Sequence, residues 1–236
     1  MYLHLLLKFG KKSYLPDFRR VGRMRLGRFA SFRQFDNCQI GDKNEGTHKI
    51  ETAKSVNVLR KNPETNEFEQ ILDSAEANVR IRHYNDLNES SRIFCFYYAI
   101  VDLTKEVRLS EVIDKDMLQE FQYDYVVGIY NLKKFYKKLD DCLDKTDFPY
   151  RRGMVEYVDL SQGKEQVSPF EKDLRFSHQR ELRLCVQNVA DDAPLYIEIG
   201  DISKFSFECS VDEIEFYSFK TIEASVLEKT YNKSIK

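Results

Sequence analysis

Residues 170–186 read FEKDLRFSHQRELRLCV, and their second half decides the architecture to expect. From Glu181 onward polar and apolar residues alternate, with Leu182, Leu184 and Val186 on one side and Glu181, Arg183 and Gln187 on the other. A period of two marks a half-buried strand. Charged and hydrogen-bonding side chains therefore share one face. His178, Gln179 and Arg180 stand immediately before it, so an imidazole, an amide and two guanidinium groups lie within a few residues of one carboxylate.

A glutamate flanked by Arg180 and Arg183 is expected to stay ionised, because nearby positive charge favours the charged form. It can then accept a hydrogen bond from a sugar hydroxyl. It can also stabilise a developing cation, such as the oxocarbenium-like centre formed when a glycosidic bond breaks. The same residues also fit a structural salt bridge on an edge strand, which is the blander reading of these residues alone.

Working outward, 236 residues with 42% hydrophobic and 32% charged suit one large domain or two small ones with an ordinary core. The formal net charge is −2, so attraction to nucleic acid must come from a local patch. The five cysteines, Cys38, Cys95, Cys142, Cys185 and Cys209, are scattered, without zinc-type spacing, and read as reduced cytoplasmic thiols. Near the N-terminus the charges Lys8, Lys11 and Lys12 follow the apolar run Leu5 to Leu7, the reverse of a secretory signal. The longest apolar stretch, Ile93 to Val101, is too short to span a bilayer, so no membrane segment is expected.

Tyr2 to Phe9 reads as a buried first strand, followed by a helix over Ser13 to Val21 that closes at Gly22, and a second strand over Arg23 to Phe29. Phe29, Phe32 and Phe35 then recur every third residue. Between Lys8 and Arg33 nearly every charge is basic, Asp17 being the one acid. Guanidinium groups interleaved with aromatic rings suit a phosphate-bearing ligand, either a dinucleotide or a nucleic acid, and equally suit a solvated helix face over core phenylalanines. Residues 37–48 form a tight Gly-, Asp- and Asn-rich loop.

Beyond it, the pattern predicts a hairpin over Val56 to Arg60 and Phe68 to Leu72, and strands over Asn78 to His83, Arg92 to Val101, Tyr123 to Tyr130 and Gly153 to Asp159. Further strands are expected at Leu195 to Ile199 and Phe205 to Cys209. Helices are expected near Lys115 to Glu120, over Leu132 to Leu143 with Asn131 as its cap, and over Ile222 to Thr230. Many short strands with few helices in mixed order imply one α+β domain over residues 1–236, with mixed, mainly antiparallel sheets. Walker, Rossmann, nucleophile-elbow and zinc patterns are missing.

Two blocks, HLLLKFGKKSYLPDFRRVGRMRLGRFASFRQFDNCQIGDKNEG at 4–46 and FEKDLRFSHQRELRLCVQN at 170–188, together resemble a group of uncharacterised bacterial proteins. In that group a strand, a helix ending before a glycine and a second strand precede a distant Gln-x-Glu strand. Gln179, Arg180 and Glu181 are similar to the glutamine-x-glutamate element of ADP-ribosyltransferases, and the opening is similar to their nucleic-acid-modifying toxin branch. The resemblance implies an ADP-ribosyltransferase-like fold that consumes NAD. It implies Glu181 as the catalytic acid, Gln179 with Arg180 in target recognition, His4 as the first-strand NAD ligand, and Arg25 or Ser31 as the second-strand contact. It also implies a toxin or phage-defence effector, a nucleic-acid target and a neutralising antitoxin protein.

Two alternatives use the same residues. A metal-independent ribonuclease would take His178 as general acid or base, with Arg180 or Arg183 on the phosphate. A non-enzymatic nucleic-acid-binding or adaptor subunit would use the basic lobe and keep Glu181 as a structural ion pair.

Overall fold

The computed structural model of the chain describes residues 1–34 and 42–220. The expected last helix at 222–230, Phe35, Cys38 and residues 37–41 of the polar loop lie outside the described residues. The first strand is β1 (Tyr2–Gly10), and α1 (Leu15–Val21) follows with Pro16 in its first turn, where a missing N–H costs nothing. Helix α1 ends at Gly22, which adopts a left-handed φ of 68°. A Cβ there would lie 2.4 Å from the Gly200 carbonyl oxygen, so both conformation and close packing call for glycine.

Next come β2 (Arg23–Arg28) and α2 (Phe29–Arg33), so Phe29 opens a helix instead of closing the strand. The expected hairpin and the separate strand at Asn78 to His83 are one element. Strands β3 (Lys49–Lys61) and β4 (Phe68–His83) pair along their whole length, with register shifts at three places. Those irregularities interrupt the alternation, which is why the sequence reads as two shorter units.

The centre of the fold is β5, preceded by the short α3 (Asp86–Glu89) and spanning Arg92–Asp102. Then follow β6 (Val107–Arg108), α4 (Leu109–Val112), α5 (Lys115–Phe121), β7 (Tyr125–Ile129) and α6 (Leu132–Leu143). The Asn131 side chain caps α6 by accepting from the Lys134 amide at 3.1 Å, and Phe135, Leu139 and Leu143 are buried.

The expected strand Gly153 to Asp159 is two strands, β8 (Tyr150–Met154) and β9 (Glu156–Val158). They part at Val155, whose amide turns to the Glu181 carbonyl at 2.9 Å. Then β10 (Glu171–Asp173) and a 3₁₀ segment, Leu174–Gln179, lead into β11 (Glu181–Val186). The chain closes with β12 (Leu195–Glu198), β13 (Ser206–Ser210) and β14 (Ser218–Phe219).

Eight of these strands form the main sheet, nearly all antiparallel, and the whole is a single mixed α+β domain. One edge of β5 is shared. Strand β2 pairs with it at Arg92 and Ile93, and β1 pairs with it from Tyr97 to Asp102. Between these pairings β1 turns away along β7, so Phe94 to Phe96 face a gap in the sheet. On the other edge β11 pairs with β5 continuously, Glu181 opposite Tyr97 and Cys185 opposite Ile93.

Strand β11 differs from its expected half-solvated state: all six residues are buried, because β5 and β8 flank it and both faces are covered. Leu182 and Leu184 join Phe94, Phe96 and Phe135 in the larger core, while Leu5, Leu7, Tyr97 and Met117 form a second core across the sheet. No helix among the described residues is long and apolar enough to cross a membrane.

Candidate functional site

The gap beside β5 opens into a cavity of about 590 Å³, inside the range of roughly 300–1,000 Å³ that ligand pockets span. It is lined from both cores, by Phe18 and Phe94 of one and Tyr97 and Met117 of the other. Tyr14 reaches it by lying across Gly10, where a Cβ would meet the Tyr14 hydroxyl at 2.2 Å. Glu181 and Gln179 sit in its wall together with Lys172, Arg183 and Glu45.

These five side chains form a closed lattice. Lys172 Nζ donates to Gln179 Oε1 at 2.7 Å and to Glu181 Oε2 at 3.3 Å, and pairs with Glu45 at 3.4 Å. Arg183 Nε donates to Glu181 Oε1 at 2.6 Å, and Nη1 pairs with Glu45 at 2.8 Å. The Glu181 amide donates to the Tyr157 hydroxyl at 2.8 Å. Two carboxylates thus meet two cations, and each oxygen of Glu181 is held by a different one.

Burial opposes the charge on Glu181, Lys172 and Arg183, and the partners outweigh it. Burial would raise the Glu181 pKa, yet Arg183 and Lys172 hold it well below the usual carboxylate range. Burial would lower that of Lys172, yet Glu181 and Glu45 hold it above the ordinary value. Arg183 is raised in the same way. Beside the lattice, burial first and Glu45 second push Asp42 up to about 6.

The turn that aims Gln179 and Glu181 is made by Arg180. Its backbone is left-handed, with φ of 39°, and its carbonyl accepts from the Tyr98 amide at 2.9 Å. A non-glycine residue there stores strain of about 1–3 kcal/mol. The Arg180 side chain is exposed and lies outside the cavity lining.

Of the other residues singled out in the sequence, Arg25 lines the cavity and carries no ion pair among the described residues. His4 is exposed, bonds through Nδ1 to the Tyr98 hydroxyl, and is not among the lining residues. Ser31 is exposed on α2, and His178 is half-buried; neither lines the cavity. The basic lobe is partly neutralised in three dimensions. Arg19 pairs with Glu208 at 3.1 Å, Arg23 with Asp17 at 2.8 Å, Arg28 with Asp192 at 2.8 Å and Arg33 with Glu89 at 2.8 Å.

The first strand does reach the cavity, four residues beyond His4. Lys8 Nζ donates to the Cys95 carbonyl at 2.9 Å, the backbone oxygen that the gap leaves without a strand partner, and lies 4.1 Å from the Phe94 ring centre. Lys8, Lys172 and Glu45 were not singled out by motif. The signals were a lysine in an apolar strand, the FEKD run before the 3₁₀ segment, and an acid in the Gly-Asp-Lys-Asn-Glu-Gly loop.

Comparison of the chain with protein-family models, with curated proteins and with solved structures finds no match.

Proposed function

We propose that the chain is an NAD-dependent ADP-ribosyltransferase, a cytosolic toxin or phage-defence effector whose acceptor is a nucleic acid. The observation that carries this reading is the ionised, buried Glu181, held beside Gln179 in a cavity that Arg25 also lines. Lys172 and Arg183 each fix one oxygen of the carboxylate, which sets its orientation before a ligand arrives, and preorganised charge of this kind acts without reorganisation. In the proposed reaction Glu181 accepts a hydrogen bond from a ribose hydroxyl and stabilises the cation that develops as the bond to nicotinamide breaks. The acceptor atom then gives its electron pair to the ribose carbon and loses its proton. Arg25 is suited to the pyrophosphate, since a guanidinium fork binds phosphate oxygens in pairs.

A nucleic-acid acceptor draws on Lys11, Arg20 and Arg25, which remain without ion pairs among the described residues. A neutralising protein partner follows from the toxin reading.

The test is incubation of the purified chain with adenylate-labelled NAD and, separately, RNA, DNA and cell protein, with nicotinamide release followed in parallel. Transfer of label to RNA or DNA, lost in Glu181→Gln and retained in His178→Ala, is expected. A folded chain that consumes no NAD with any pool, or that shortens RNA without NAD, would overturn the proposal.

A further inference from the structure

Lys8 lines the cavity near Glu181 and, among the described residues, has no carboxylate partner of its own. Glu181 and Glu45 are both engaged by Lys172 and Arg183, so the lattice is already balanced, and Lys8 makes no ion pair among the described residues. Its amine meets a carbonyl oxygen and a ring face instead. Both favour an ammonium group far less than a carboxylate does. Burial is the largest influence on Lys8 and lowers its pKa, with Cys95 and Glu181 opposing in part.

With its charge disfavoured, the Lys8 amine donates one hydrogen to the Cys95 carbonyl and, once deprotonated, has a lone pair for another partner. Desolvated lysines in apolar pockets are nucleophiles towards carbonyl carbon. The groups around it suit a particular ligand: Arg25 carries no ion pair among the described residues, and Tyr14 and Tyr123 add hydroxyls.

We infer that Lys8 is a nucleophilic amine that forms an imine with a phosphorylated aldehyde, the ring-opened form of a pentose phosphate. The Nζ lone pair bonds to the aldehyde carbon, and the two amine hydrogens leave with the carbonyl oxygen as water. The phosphate is held by Arg25. This inference goes beyond the NAD reading and does not depend on it: an inactive chain in the nicotinamide assay leaves it standing, and a missing adduct leaves the transferase reading standing.

The test uses the full chain at pH 7.5 with ribose 5-phosphate and cyanoborohydride, which reduces an imine to a stable amine, followed by peptide mapping by mass. The expected result is one dominant adduct on Lys8, exceeding that on every other lysine, because Arg25 holds the phosphate beside it and a lowered pKa enlarges the neutral-amine fraction. Lys172 should stay unlabelled. Lys8→Arg should lose the adduct, and Arg25→Ala should remove the advantage of ribose 5-phosphate over ribose. No adduct on the wild-type chain, or labelling of Lys8 no stronger than of surface lysines, would overturn the inference.

Discussion

One cavity holds two lysines in opposite circumstances. Lys172 is buried between Glu181 and Glu45 and is held as a cation, whereas Lys8 is half-buried, faces the Cys95 carbonyl and the Phe94 ring and has its charge disfavoured. The difference is the number of carboxylates within reach, and it divides the cavity into a wall whose charges are spent on one another and a wall whose groups remain available.

The comparison breaks most visibly in unfolding experiments. Lys172→Met leaves two buried carboxylates with one cation and should cost about 3–5 kcal/mol in denaturant unfolding. Lys8→Met removes a half-buried amine that has no counter-charge among the described residues and should change stability by no more than about 1 kcal/mol, the loss of the Cys95 bond being offset by relief of desolvation. Equal losses in the two variants would erase the distinction.

Acid titration sharpens it next. Asp42, pushed up to about 6 by burial and Glu45, keeps its proton in the folded state over a range where the unfolded chain has lost it. The native state then binds more protons, so stability should fall as pH rises from about 4 to about 6, by an amount on the order of 1 kcal/mol. Asp42→Asn should flatten that slope, measured as unfolding free energy against pH. Glu181 contributes with the opposite sign up to about pH 5, because its unfolded carboxylate titrates at about 4.3, so the Asp42 effect is read as the difference between the wild type and Asp42→Asn.

Smaller effects belong to the rim and the turn. Arg25→Ala, at an exposed guanidinium without an ion pair, should leave stability within about 0.5 kcal/mol while weakening a phosphate-bearing ligand by about tenfold in calorimetry. Arg180→Gly relieves a left-handed backbone and should be neutral or stabilising by less than about 1 kcal/mol.

Much of the scaffold is legible from periodicity. The stripe Phe135, Leu139 and Leu143, the Asn131 cap and the Gly22 stop announce α6 and the end of α1, because they depend on neighbours a few residues away. The alternation after Glu181 likewise places Glu181 and Arg183 on one face of β11. That this face is buried was not legible, since burial depends on Glu45 and Lys172, which arrive from a distant loop and from β10.

The same reasoning separates His4 from Lys8. Alternation puts both on the same side of β1, and nothing local tells where β1 leaves β5, although that departure decides which of them meets the cavity. Charge along the chain misleads in the same way. Arg19, Arg28 and Arg33 look like a free basic lobe until acids from remote segments pair with them.

The central claim is that the cavity holds one lysine as a fixed cation and another as an available amine. Titration of the lysine side-chain amines by nuclear magnetic resonance, with Lys8→Arg and Lys172→Met for assignment, tests it directly. The account predicts that the Lys8 signal changes below the surface lysines, which titrate near about 10.4, and that the Lys172 signal is still that of an ammonium group when those have turned over. Two signals that titrate together with the surface lysines would contradict it.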